Sequence, residues 1–173
     1  MDVGGWWIYD EGTSGTPDEI ATWKTRSPIP LGEGLVLDST VIPAKGVAVI
    51  LSPQYPENLN IEKMPYRFPA GTVILSVAAS NTLGDDFFGI ITDQDGYETV
   101  TLYIGGAAVM KEIVDTYGTP LIISDYPFEI DDDHRDNIPT YLSDCYSIER
   151  IDPYLPDRET NWKPVFNGSP GEV

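Results

Sequence analysis

Glycine and proline interrupt this chain so often that no amphipathic period of 3.6 residues persists for ten positions. Sixteen glycines and fifteen prolines cluster between apolar runs, as in "SPIPLGEG" (27–34), "IPAKG" (42–46), "SPQYPEN" (52–58), "FPAGT" (68–72) and "DQDGY" (93–97). Glycine supplies positive φ, whereas proline fixes φ and removes an N–H, so such clusters end regular elements and form turns. What survives between them is short, and short apolar or alternating runs read as strands.

The runs predict strands over residues 5–10, 46–52, 72–79 and 98–105, with further candidates at 19–25, 35–38, 87–92, 110–117 and 146–151. In "GWWIYD" Trp6 and Ile8 share one face while Trp7 and Tyr9 share the other; in "ETVTLYIG" Val100, Leu102 and Ile104 alternate with Thr99, Thr101 and Tyr103. The competing helix is "AAVMKEIVDTYG" (107–118), where Ala, Met, Lys and Glu are good helix formers. The β-branched Val109, Ile113, Val114 and Thr116 favour strand there. Many short strands separated by turn signals predict an all-β domain, a β-sandwich with long loop insertions and few helices. The acidic, aperiodic stretch 126–144 reads as a long surface loop before the final strand.

The length of 173 residues predicts a single domain over 1–173, and 41% hydrophobic with 11% aromatic content is enough to bury a core. Twenty-eight acids against ten Lys and Arg give a formal net charge of −18, a field that repels phosphate backbones and anionic headgroups, so nucleic acid is not an expected partner. The single cysteine, Cys145, excludes an internal disulfide and leaves a cysteine zinc site without ligands; preceding an apolar strand, it reads as a small buried residue. No stretch approaches the roughly 18–20 apolar residues of a membrane span. The opening "MDVGGWWIYD" has neither a basic nor an apolar leader region, so the chain is read as not exported or as part of a longer exported protein.

The order "YSIERI", an acidic spacer, "NW" and then "GSPG" resembles the C-terminal end of lamin-tail domains, immunoglobulin-like β-sandwiches of nuclear lamins and of many bacterial and archaeal surface or secreted proteins. "GGWWIYD" looks like the family's Gly-Trp strand. "STVIPAKGVAVILSP" is similar to its turn and hydrophobic strand, and "SNTLGDDFFGIITDQDGYETVTLYIGG" to its strand, hairpin and strand. Residues 10–34 and 53–80 are longer than the family pattern. "YRFPAGTVI" from Tyr66 competes with "STVIPAKG" for one aligned position.

Family members begin with strands that precede the Gly-Trp strand, whereas Trp6 stands near the start here. The resemblance therefore implies a domain lacking its first strands. Its open edge would be filled by the long insertions or by a second copy in a homodimer. It further implies a tail acting as a clasp: Ile148 pointing into the core, Glu149 and Arg150 at the rim, Trp162 lying back over the end of the sandwich, and Pro170 with Gly171 fixing the terminal turn.

No catalytic constellation is legible. His134 is the only histidine and sits in "DDDHRD", without a positioned nucleophile or a Gly-x-Ser-x-Gly element. Calcium is the most credible ligand for the acidic clusters, since it takes six to eight oxygens at about 2.3–2.6 Å. The candidate ligands are Asp131, Asp132, Asp133 and Asp136, with Asp85, Asp86, Asp93 and Asp95 as a second cluster; neither fits the EF-hand spacing. A solvated acidic run and a "DQDG" hairpin turn are the simpler readings of these two stretches. Loop aromatics at Tyr55, Tyr66, Phe68, Tyr126, Phe128, Tyr141 and Tyr154 either pin the loops or bind sugar or protein.

The expected function is a non-enzymatic interaction or adhesion module of a longer surface or secreted protein, extracellular or at the cell surface. It would bind a protein partner or anchor a neighbouring domain. The alternative is a carbohydrate-binding module using loop aromatics, with calcium as an assisting ion. No coiled-coil rod or basic localisation cluster accompanies the resemblance, so nuclear-lamina biology is not carried over.

Overall fold

The computed structural model describes residues 1–10, 17–27, 31–53, 68–78, 100–106, 109–117, 146–152, 154–155 and 159–166. Six strands form one mixed sheet: β1 (Trp6–Asp10), β2 (Asp18–Thr22), β3 (Ala48–Ile50), β4 (Val73–Val77), β5 (Val100–Gly106) and β6 (Val109–Tyr117). Their order across the sheet is β3-β4-β2-β1-β5-β6. Two further strands, β7 (Tyr146–Arg150) and β8 (Trp162–Phe166), form an antiparallel pair. The one α-helical element among the described residues is a single turn, α1 (Trp23–Arg26). The protein is all-β, as its turn punctuation predicts, and β6 settles the helix-or-strand competition at 109–117 in favour of strand.

The sheet curls, and its core shows why it must. Val3, Ile20, Val73 and Leu75 are buried together, and Trp6, Val36, Ile42, Ala48, Ile50 and Leu102 pack against them. In a flat sheet β3 and β5 would lie four strand spacings, about 19 Å, apart. Side chains from both strands could not then reach one cluster.

The change of direction falls at β2. Asp18 and Glu19 pair with Ile8 and Trp7 of β1, whereas Ile20, Ala21 and Thr22 pair with Val77, Ser76 and Leu75 of β4. One strand therefore belongs to two ladders, with its first half serving one wall of the core and its second half the other.

Strand β4 is the centre of the fold, and all five of its residues are buried. On one edge it runs parallel to β3, with the Val73 N–H donating to Val47 O and the Leu51 N–H to Leu75 O. On the other edge Val36 and then β2 take the remaining backbone groups, through Ile74 N–H to Val36 O and Ala78 N–H to Glu19 O. Trp23 in α1 is fully buried and α1 packs on β4, so the outer face of this strand is closed too. The Arg26 Nε donates to Val77 O at 2.7 Å, holding the helical turn against the strand end. Burying an aliphatic side chain of this kind stabilises the fold by about 1.5–3 kcal/mol relative to leaving it exposed.

Several expectations change. The strand foreseen over 19–25 stops at Thr22 because Trp23–Arg26 make a helical turn closed by the Ser27 N–H on Trp23 O. At 35–38 only Val36 is bridged, in parallel to Val73. The 46–52 run gives a three-residue strand. The 87–92 candidate lies outside the described residues.

The edge expected beside the Gly-Trp strand is not open. Strand β2, which comes from the long 10–34 segment, pairs with β1 on one side, and β5 pairs with it on the other. Met1–Val3 also join the fold: Asp2 bridges Val41, and the Val3 N–H donates to Thr40 O. Among the described residues the edges of the six-stranded sheet are β3 and β6.

Candidate functional site

Among the described residues, several exposed apolar side chains gather where β7 ends and β8 begins. The two strands pair antiparallel, with Arg150 directly across from Trp162. The Arg150 guanidinium lies over the Trp162 ring at 5.5 Å from its centroid, a cation–π contact that ties the strand ends together. Trp162, expected to lie back over the end of the sandwich, is the first residue of β8 and is half-buried. Pro164 within β8 donates no N–H to a ladder, which suits an edge strand.

Asn161, at the end of the short 3-10 turn Glu159–Asn161 that leads into β8, organises the chain leaving β7. It is 5% exposed. Its Oδ1 accepts from the Asp152 N–H at 3.0 Å, and its Nδ2 donates to Asp152 O at 2.8 Å and to Leu155 O at 3.4 Å. Its own carbonyl accepts from the Ile151 N–H at 2.7 Å. Asp152 adds an Asx turn, its carboxylate accepting from the Tyr154 N–H at 2.9 Å while its carbonyl accepts from the Leu155 N–H.

The outcome is a loop in which the N–H groups of Ile151, Asp152, Tyr154 and Leu155 are all donated, while the apolar side chains of Ile151, Tyr154 and Leu155 stay exposed. Tyr154 is 87% exposed, Ile151 55% and Leu155 54%. Isolated exposed apolar residues are ordinary on a protein surface. Three within five positions, on a loop held by a buried amide, form a patch of the kind that marks a binding surface.

Of the residues singled out from sequence, Tyr154 is in this patch and Phe68 is half-buried. Asp131, Asp132, Asp133 and Asp136, the second acidic cluster, His134, Cys145, and Tyr55, Tyr66, Tyr126, Phe128 and Tyr141 lie outside the described residues. So do Pro170 and Gly171, and the side chain of Ile148. Among the described residues no group of three or more His, Cys, Asp or Glu is placed to hold a metal ion, and no helix is long and apolar enough to cross a membrane. Ile151, Leu155 and the organising Asn161 were missed from sequence. Their one available signal was an Ile and a Leu flanking "DPY", a turn that leaves apolar residues at its ends.

Comparison with known proteins finds no matching family model, no matching curated protein and no matching solved structure.

Proposed function

We propose that the chain is a non-catalytic interaction module: an immunoglobulin-like domain of the lamin-tail type, within a longer surface or secreted protein, that docks a protein partner or a neighbouring domain. The observation that carries this reading is the Ile151, Tyr154 and Leu155 patch held in place by Asn161. A fixed loop loses little conformational entropy when a partner covers it, so its apolar surface converts efficiently into affinity.

The sheet edges favour contact through side chains over strand addition or an edge-to-edge homodimer. Strand β3 is three residues long, and Pro53 follows soon after it. Strand β6 is long, but the register with β5 jumps from Asp115 to Ile113 and from Glu112 to Met110. The extra residues Val114 and Lys111 are bulges, which bend an edge away from a straight partner strand.

A photo-crosslinking residue in place of Tyr154, with one at exposed Glu33 as control, tests the reading in the intact parent protein. A partner joined through position 154, then purified and bound at least about tenfold more weakly by Leu155→Ser, supports it. Equal crosslinking at both positions, or affinity unchanged by Leu155→Ser, sinks it.

The second reading is a carbohydrate-binding module, favoured by the outward-facing Tyr154 ring, with calcium at Asp131, Asp132, Asp133 and Asp136 as an assisting ion. Glycan binding that Tyr154→Ala abolishes, with a melting midpoint raised by calcium and lowered by EDTA, would select it.

A further inference from the structure

We draw no further inference here: the strongest candidate, the exposed apolar patch of Ile151, Tyr154 and Leu155 on the loop between β7 and β8, belongs to the site already described, and nothing in the structure shows what covers it.

Discussion

The side-chain amide of Asn161 holds Asp152 from both sides, accepting its N–H at 3.0 Å and donating to its carbonyl at 2.8 Å. Only an amide carries a donor and an acceptor at that spacing. Asn161→Leu keeps a similar volume but strands two backbone groups beside a buried side chain. We expect a loss of about 1–3 kcal/mol by urea denaturation. Asn161→Asp removes the donor and sets a carboxylate against two carbonyls, so it should cost at least as much. A variant as stable as the parent would show that solvent, and not Asn161, satisfies the loop.

The tip and the core contain the same residue type with opposite expected behaviour. Leu75 is almost fully buried in β4 and belongs to the central cluster, whereas Leu155 is 54% exposed. Leu75→Ala should cost about 2–5 kcal/mol through lost burial and a residual cavity. Leu155→Ala should stay within about 0.5 kcal/mol in either direction. Thermal melts of the two variants side by side measure this contrast, and a large loss at Leu155 would mean that the tip is packed against the domain in solution.

How much of this was legible in the sequence follows from how local each determinant is. The strand at β4 announces itself as a continuous apolar run, and β6 through β-branched residues that outweigh good helix formers. Strand β8 was not foreseen because Pro164 sits at its centre, and proline is read as a strand breaker unless the strand is known to be an edge. The end of β2 was missed because Trp23 gains more by turning to cover β4 than by continuing an extended ladder, a long-range choice invisible locally. In the sequence the tip reads only as an acidic spacer with one loop aromatic, Tyr154, because its organisation depends on Asn161, nine residues beyond Asp152. In β5 the alternation was visible but not which face is sealed: Thr101 and Tyr103 are fully buried, while Ile104 is partly exposed.

The turn before β3 stores strain that substitution can release. Its Gly46 N–H donates to Pro43 O at 2.8 Å, closing a β-turn in which Lys45 adopts φ of 59°. A side chain with a Cβ is disfavoured there by about 1–2 kcal/mol, partly offset on replacement by the larger unfolded-state entropy of glycine. Lys45→Gly should therefore stabilise by up to about 1 kcal/mol. Gly46→Ala should act in the opposite direction, because its Cβ would stand 2.6 Å from Pro43 Cγ within a rigid ring. Denaturant midpoints moving in the same direction for both variants would refute this account of the turn.

Thr72 presents a buried hydroxyl, Oγ1, without a hydrogen-bond partner, although its backbone N–H and carbonyl are engaged by Pro69 and Val36. The desolvation of that oxygen opposes folding with nothing returned. Thr72→Val replaces it with a methyl of nearly the same shape, and we expect a gain of about 1 kcal/mol in urea unfolding. Loss of stability would reveal that the hydroxyl has a partner in solution, such as an ordered water.

Asp2 links the N-terminal pairing to pH. The Thr40 hydroxyl donates to its carboxylate at 2.7 Å and the Gly4 N–H at 3.0 Å, and these two donors hold its pKa below the ordinary aspartate value of 3.8. A carboxylate whose pKa is depressed on folding contributes stability above its unfolded value and loses that contribution as pH falls through the folded one. The effect of Asp2 should therefore be fully present at neutral pH and fade from just above 3.8 downward. Asp2→Asn should lower the melting midpoint slightly at neutral pH, with the difference from the parent shrinking across that acid range. A carbon-13 titration of the Asp2 carboxyl reads the shift directly, and a midpoint at or above the ordinary carboxylate value would remove the Thr40 and Gly4 contacts from the account.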